Sequence, residues 1–279
     1  MSTKSDLLKS ISSEKELKNL LINNGGCHQY YHHYTTLENL ACILENESFL
    51  LTRLSSIHIN DLHEGKFKGT KEMRDKTYIA SFAFGKNENM AMWGLYCKPW
   101  ERGVRISIPK KEMTLWINGI NSVKWADELE NYKLKNELQY DELTLNDIVY
   151  IGKNDYDLSL NNKLYWSESS KTIESKSNLV QIDSKPGMTG FIKNAAWKYE
   201  NEVRVRVCLH DTECENDKII EKIGVKIPAN ILESFIITTG PYYKNDVKED
   251  LKIKGVLDKI DVNNIRTSKF EGLLNYKNG

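Results

Sequence analysis

The stretch WKYENEVRVRV, residues 197–207, decides the fold class of this 279-residue chain. From Glu200 to Arg206, every second residue is charged, and valines fill the alternate positions from Val203 to Val207. Successive side chains of a β-strand point to opposite faces, so this period of two predicts a half-buried strand. The run has no helical spacing of apolar residues, and the alternation therefore places a sheet in the last third of the chain.

Working outward from this strand, other short apolar runs also have strand character and end at glycine, proline, asparagine or polar residues. The predicted strands are Tyr30–Tyr34, Phe49–Thr52, Tyr78–Phe84, Gly103–Ile108, Ile148–Ile151, Ile223–Ile227, Phe235–Thr239 and Ile260–Val262.

Helices are predicted between these strands, where apolar residues recur every three or four positions. Thr36 is a suitable N-cap for one of them. The predicted helices are residues 5–24, the segment after Thr36, Asn89–Tyr96, Trp125–Leu138 and Asp246–Asp258. We therefore predict an α+β fold with an antiparallel or mixed sheet and surrounding helices, in one domain spanning residues 1–279. Residues 1–29 form a helical extension of this domain and residues 110–190 a variable insertion.

Composition narrows the class of protein. Hydrophobic residues make up 40% of the chain, which supplies a core, and 39 basic residues balance 39 acidic ones. A neutral chain lacks the global basic field of a protein that coats nucleic acid. The five cysteines are scattered, and the first residues are charged rather than apolar. We expect reduced thiols, no membrane association and a cytoplasmic location.

The strand at residues 200–207 carries the first candidate site. Alternation places Glu200, Glu202 and Arg204 on one face, about 6–7 Å apart. A fixed carboxylate beside an orienting cation can stabilise a developing glycosyl cation. The alternative is a solvated strand face with cross-strand ion pairs.

Two further groups could bind a ligand. His32 and His33 precede Tyr34, Thr35 and Thr36 at the end of a strand, where an imidazole could donate to a ligand hydroxyl. The alternative is a histidine satisfied within the protein. Further along the chain, an aromatic pair three residues apart shares one helical face and could stack a flat heterocycle, or simply belong to the core. This pair is Trp93 and Tyr96.

Metal and phosphate-loop chemistry find little support in the sequence. His58 and His63 are five residues apart, which does not place them on one face of a helix, so we expect no metal. No phosphate-binding glycine loop, nucleophile elbow or zinc-protease motif occurs.

In order along the chain, these blocks resemble a bacterial family known as domain of unknown function 2971. The matching pieces are residues 31–40 with 43–44, 60–61 with 64, 81–82, 92–93 with 96, 103–104, and 193 with 197, 200, 202 and 204. That family is similar to a remote branch of the ADP-ribosyltransferase fold, whose split mixed sheet binds NAD.

The resemblance implies roles for particular residues. His33 would bond a ribose hydroxyl of NAD, and Glu202 or its neighbour Glu200 would be the catalytic carboxylate. Two histidines and two glutamates compete for these positions, and the sequence leaves both pairs open. The expected catalytic residues are thus Glu202, Glu200 and His33, and the expected NAD-binding residues are His33, Tyr34, Thr35, Ser81, Trp93, Tyr96 and Arg53.

The resemblance also implies a function. We expect an ADP-ribosyltransferase that uses NAD as co-substrate and modifies a macromolecule, as a toxin of a toxin–antitoxin or phage-defence system with an antitoxin as partner. RNA is the favoured acceptor, because basic residues cluster between Arg53 and Arg74. That cluster could equally be a solvated helix face. The alternatives are an NAD glycohydrolase and a non-catalytic module that binds a nucleotide or a protein.

Overall fold

A computed structural model of the chain describes residues 28–56, 61, 64, 71–127, 132–151, 165–167, 172–174, 180–181, 189–210 and 220–273. The predicted helix at residues 5–24 lies outside these ranges. Within them, no helix is long and apolar enough to cross a bilayer.

The α+β prediction is confirmed, with helices packed around a large mixed sheet. The strands are β1 (Tyr30–Thr36), β2 (Ser48–Arg53), β3 (Thr77–Phe84), β4 (Gly103–Pro109), β5 (Val123–Asp127), β6 (Lys133–Leu138), β7 (Tyr140–Asp147), β8 (Val149–Ile151), β9 (Tyr165–Ser167), β10 (Thr172–Glu174), β11 (Val180–Gln181), β12 (Ile192–Asn194), β13 (Glu202–Leu209), β14 (Lys222–Lys226), β15 (Ile236–Thr239) and β16 (Ile265–Arg266).

The helices are short and lie between strands. They are α1 (Leu37–Asn46), α2 (Lys71–Lys76), α3 (Met90–Tyr96), α4 (Lys110–Gly119), α5 (Ala229–Glu233) and α6 (Val247–Ile253). The predicted cap is confirmed: the Thr36 hydroxyl accepts from the backbone N–H of Asn39 at the start of α1. The Asn89 side chain accepts from the backbone of Ala91 and begins α3. These side chains satisfy helix N–H groups that have no partner within the helix.

Eleven strands form the main sheet, in the order β16-β15-β4-β1-β3-β2-β14-β5-β6, with β13 paired to both β3 and β7. The β15–β16 pair is parallel, whereas the other pairs of this sheet are antiparallel. The largest hydrophobic cluster lies on the face covered by α1 and α4 and includes Phe49, Phe82 and Trp116. Burial of these aromatic side chains is a main source of stability.

The central strand of this sheet, β3, is paired continuously along one edge and only at its two ends along the other. One edge of β3 pairs with β13 from Glu202↔Ala83 to Cys208↔Thr77. The other edge pairs with β1 at Ala83 and Phe84, and with β2 at Tyr78 and Ile79. β1 and β2 therefore diverge from the same edge of β3, and the backbone between Ile79 and Ala83 faces a gap in the sheet.

Three predictions about secondary structure are wrong. The predicted helix Trp125–Leu138 is replaced by β5 and β6, which pair with each other. Ile260–Val262 is not a strand, and the last strand of the described residues is β16. β13 begins at Glu202 rather than Glu200 and is buried on both faces, because β3 and β7 flank it and the sheet is covered there.

Candidate active site

The gap beside β3 holds a cavity of about 290 Å³, which we call the gap cavity. Its lining includes residues of four strands and one helix, among them His33 and Thr35 of β1, Ser81 of β3, Lys222 of β14 and Asn39 of α1. Two of the predicted nucleotide-binding residues besides His33, namely Thr35 and Ser81, are thus brought together by the split of the sheet.

The His33 side chain hydrogen-bonds the backbone of Ser81, which has no strand partner on this edge of β3. Its Nδ1 lies 3.0 Å from the carbonyl oxygen of Ser81, the residue that faces the gap. A carbonyl only accepts, so Nδ1 carries the proton and donates. Burial lowers the pKa of His33, although the Ser81 carbonyl opposes this shift. The ring is therefore neutral near pH 7, and its Nε2 is an acceptor. The sequence predicted a donor to a ligand hydroxyl, whereas this tautomer accepts from one.

His32, the competing histidine, has both ring nitrogens occupied. Nε2 donates to the carbonyl of Gly85 at 2.9 Å, and Nδ1 accepts from the Ser107 hydroxyl at 2.8 Å. Burial, with a smaller contribution from Arg105, lowers its pKa to about 4. His32 therefore matches the alternative in which a histidine is satisfied within the protein.

Glu202 lies in a buried cluster of charges next to Ser81. Its Oε1 accepts from Nε of Arg204 at 2.6 Å, and its Oε2 accepts from Nη2 of Arg204 and Nζ of Lys193, both at 3.1 Å. The Ser81 hydroxyl donates to the same carboxylate. Burial alone would raise the pKa of Glu202, but Arg204 and Lys193 outweigh it and hold the pKa at about 2. The group is a permanent anion at neutral pH.

Glu200 belongs to the same cluster but not to the strand. It ends a 3₁₀ helix, Ala195–Glu200, and Asn201 follows with φ of 45° before β13 begins. Its Oε2 accepts from Lys193 at 2.6 Å, and its Oε1 accepts from the Tyr96 hydroxyl at 2.5 Å. Both glutamates are buried, at 2% and 4% exposure, so the predicted solvated strand face is absent.

A third carboxylate closes the cluster on the far side of Arg204. Glu64 accepts from Nη1 of this arginine, and the Gly190 carbonyl accepts from the same nitrogen. Burial raises the pKa of Glu64, against the opposing effect of Arg204. The backbone N–H of Glu202 donates to the Tyr150 hydroxyl at 3.0 Å. The Glu202 side chain is thereby held from both ends, which fixes its position.

Ser81 joins the two halves of the site. The register Glu202↔Ala83↔His32 places Glu202 and His32 on one face of the sheet, and so His33 on the other. Ser81 nevertheless contacts both sides, since its carbonyl binds His33 and its hydroxyl binds Glu202. A ligand in the gap would therefore meet the His33 ring and lie one hydroxyl away from a fixed anion.

Three predicted nucleotide-binding aromatics lie outside the gap cavity. Trp93 is 3% exposed, packs edge-on against Tyr34 and donates through Nε1 to Glu88, so it is a core residue. The buried Tyr34 hydroxyl accepts from the backbone N–H of Asn89. Tyr96 is partly buried against the hydrophobic cluster that contains Tyr34 and Trp93, and its hydroxyl donates to Glu200.

Arg53 was predicted to bind the cofactor, but it is held by Glu221 and lies 3.9 Å from Asp75. Arg74, from the same basic run, donates to the carbonyl of Leu54. These two cations are therefore engaged within the protein. Lys66 and Lys68 of the run lie outside the described residues, as do His58 and His63, and no group of metal-ligating side chains occurs in the described part of the chain.

Sequence reasoning gave no role to Lys193, Asn39 or Lys222. Lys193 could have been found, since it precedes the glutamate pair at fixed spacing in the quoted family blocks. Lys222 gives no sequence signal: it is one of several lysines near β14, and only the pairing of β14 with β2 brings it to the gap.

The family predicted from these blocks is matched directly. A family model described as "Protein of unknown function (DUF2971)" matches residues 92–205, which include Trp93, the glutamate pair and Arg204. No curated protein matches the chain in sequence.

Two solved structures are similar to the chain at low identity. One is described as "Thermus sp. 2.9 DarT in complex with NAD+"; it is 10% identical, covers 88% of this chain and 98% of its own, and has a TM-score of 0.35. The second, "Thermus sp. 2.9 DarT in complex with carba-NAD+", is also 10% identical, with coverages of 88% and 97% and a TM-score of 0.31. Likenesses this distant carry no argument about activity.

Proposed function

We propose that the chain is an ADP-ribosyltransferase that binds NAD at the gap between β1 and β3 and transfers ADP-ribose to a macromolecule. The observation that carries this proposal is the double contact of Ser81, which connects the acceptor-bearing ring of His33 to the fixed anion of Glu202. The reaction requires a nucleotide sugar next to a charge that stabilises its cation, and the contacts of Ser81 at the split of the sheet support this arrangement.

His33, Thr35 and Lys222 would hold the nucleotide. The neutral His33 ring has Nε2 as an acceptor for a ribose hydroxyl. Thr35, whose hydroxyl accepts from Asn39 at 3.0 Å, lies beside it on the same strand face. Lys222 supplies a cation for the pyrophosphate, since ammonium groups bind phosphate oxygens as point charges. At about 290 Å³ the cavity is small for a whole dinucleotide and suits one half of NAD.

Glu202 would stabilise the transition state. When the bond between ribose C1 and nicotinamide breaks, the electron pair leaves with nicotinamide and positive charge develops on the ribose. A carboxylate that is already fixed and ionised lowers this barrier without reorganisation. An acceptor nucleophile then bonds to C1 and loses its proton. Glu200 is the weaker candidate, because its contacts are with Lys193 and Tyr96 and not with Ser81, the residue that lines the gap cavity.

The acceptor we favour is RNA, and the biological role we favour is a toxin restrained by an antitoxin. The described arginines of the predicted basic run are held within the protein, so they add no support for RNA. Induced expression in bacteria tests the role: growth arrest by the wild-type chain, and normal growth with Glu202→Gln at equal protein level, is the expected result. Equal growth in both strains would remove the toxin role.

One assay separates the three candidate functions. Purified protein is incubated with NAD carrying a label in the adenylate moiety, alone and with RNA, DNA or lysate protein, and nicotinamide release and label incorporation are measured. Nicotinamide release with label on an acceptor is the expected result. Release with free ADP-ribose and no labelled acceptor would make the chain a glycohydrolase. NAD binding without release would leave only a binding module.

A further inference from the structure

A second cavity lies on the opposite side of β1 from the gap cavity. It has a volume of about 210 Å³ and is lined by residues from β1, β4, β15 and β16 and from the loops next to β3 and β16. Tyr30 and His32 line it, whereas His33 and Thr35 line the gap cavity, as strand alternation requires. We call it the cationic cavity because four of its side chains are Lys86, Arg105, Arg266 and Lys269.

Arg105 of β4 has two guanidinium nitrogens that nothing in the described part of the chain satisfies. These are Nε and Nη1, which are buried and have no hydrogen-bond partner there. Nη2 makes a long contact, 3.4 Å, to the Thr238 hydroxyl, and the guanidinium also hydrogen-bonds the Tyr34 side chain and lies 5.8 Å from the centre of its ring. A buried unsatisfied donor costs about 1–3 kcal/mol, more when charged, so such nitrogens in a cavity wall indicate a missing acceptor.

The cavity has too little negative charge to neutralise these cations. Glu88 is the one carboxylate in its lining, and it already accepts from Trp93 Nε1, from the Ser268 hydroxyl at 2.6 Å and from the Lys269 backbone at 2.8 Å. Within the part of the chain that the structure describes, none of the four cationic side chains forms an ion pair with a carboxylate.

We propose that the cationic cavity is a binding site for a phosphate group, with Arg105 as its central ligand and Lys86, Arg266 and Lys269 around the rim. A planar guanidinium presents two parallel N–H donors that match phosphate oxygens, and Nε with one terminal nitrogen is such a pair. The three rim side chains are exposed and can close on an anion. The site does not depend on NAD cleavage, since it lies on the other side of β1 and shares no lining residue with the gap cavity.

Calorimetry with pyrophosphate tests the site in the full chain without NAD. We expect binding by the wild type, and an affinity about 10- to 100-fold lower in Arg105→Gln, because two charged hydrogen bonds are lost. Since Arg105 also lies beside Tyr34, a second variant, Lys86→Gln with Lys269→Gln, changes only exposed side chains and should weaken binding about 3- to 10-fold. The matched control is Arg53→Gln, an ion-paired arginine outside the cavity, which should bind as the wild type does.

Three results would overturn the proposal. They are no binding of pyrophosphate by the wild type at millimolar concentration, unchanged affinity in both variants, and loss of affinity in Lys222→Gln instead, which would place the anion in the gap cavity. The source of the phosphate is read from two further titrations, with ADP and with a short single-stranded RNA. Tighter binding of RNA than of ADP, lost in Arg105→Gln, identifies a nucleic-acid backbone; the reverse order identifies a free nucleotide.

Discussion

His32 and His33 are neighbours on β1, yet they take part in different regions of the molecule. His32 lies at the cationic cavity and uses both ring nitrogens, one on Ser107 and one on Gly85. His33 lies at the gap cavity, and among the described residues only its Nδ1 has a hydrogen-bond partner, the Ser81 carbonyl. Burial lowers the pKa of both, so charge does not distinguish them. What distinguishes them is the hydrogen-bonding capacity that remains after folding.

The difference follows from the pairing of β1. His32 is paired on both edges of β1, with Ser107 of β4 and Ala83 of β3, and its ring contacts the Ser107 hydroxyl and the Gly85 carbonyl. His33 is paired with Ile106 of β4 alone, because β1 has left β3 at this point, and the described residues offer its ring one carbonyl, that of Ser81. A polar side chain placed where a sheet splits therefore keeps a free acceptor, and its neighbour in the paired region does not.

The largest effect on activity should come from Glu202, the anion that Ser81 connects to His33 by hydrogen bonds. Glu202→Gln should lower the rate of nicotinamide release by about 100- to 1000-fold, since one preorganised charge is worth about 3–4 kcal/mol in the transition state. The measurement is turnover at saturating NAD. Glu142→Gln is the control. Glu142 of β7 forms an ion pair at 3.0 Å with Arg206, which lies on β13 like Glu202 but away from the gap.

Glu202→Gln should also destabilise the protein, contrary to what a half-exposed strand carboxylate would do. Removing one charge leaves Arg204 and Lys193 undercompensated in a buried site, which costs several kcal/mol. Turnover is therefore measured well below the melting temperature of the variant. Wild-type turnover in a folded Glu202→Gln protein would contradict the proposed site and reduce β13 to scaffold.

A second prediction concerns the pH dependence of the unfolding free energy. His32 has a folded pKa of about 4 and an ordinary value of 6.5, so folding favours its neutral form. This stabilisation is fully present above about pH 6.5 and is lost as the pH falls towards 4, to a total of about 3 kcal/mol. Arg105 strengthens the shift, and Glu88 and the Gly85 carbonyl oppose it.

Urea denaturation at several pH values measures this linkage. In His32→Gln, whose amide cannot titrate, the slope of unfolding free energy between pH 6.5 and 4 should be smaller than in the wild type. His210→Gln makes the same exchange at an exposed position and is the control for the substitution itself. Equal slopes in His32→Gln and the wild type would mean that His32 is protonated as easily in the folded state as in the unfolded one.

The smallest effect concerns the free acceptor itself. His33→Ala should raise the KM for NAD by up to about 10-fold, the value of one neutral hydrogen bond, and should lower stability less than His32→Ala, because it orphans one partner rather than two. His32→Ala should instead lower the melting temperature, since it orphans the Ser107 hydroxyl and the Gly85 carbonyl, and leave the KM near the wild-type value. If the two variants exchange these effects, the roles of the two histidines are reversed.

Features set by local sequence were predictable. The alternation of valines in β13 and the capping side chain of Thr36 act within a few residues, and the strand and the helix predicted from them are both present. The start of that strand and its half-buried character were predicted wrongly. His33, Thr35 and Ser81 were also singled out from sequence, and the structure brings them to one cavity.

Features set by distant pairing were not predictable. Trp125–Leu138 is rich in helix-forming residues, but β14 provides an edge against which β5 pairs, and tertiary pairing overrides propensity. Glu200 leaves the strand because Asn201 adopts a left-handed conformation, which asparagine tolerates. The engagement of Arg53 by Glu221, 168 residues away, has no signature in the sequence.

The split of the sheet gives Ser81 a backbone amide that NMR spectroscopy can distinguish from those of its neighbours. Ala83 and Ile79 point their backbone groups towards β1 and β2, so Ser81, midway between them, points its own towards the gap. Its amide should exchange with deuterium far faster than those of Ala80 and Phe82, which face β13. One fast amide amid slow neighbours would report directly, residue by residue in an NMR spectrum, on whether anything occupies the gap.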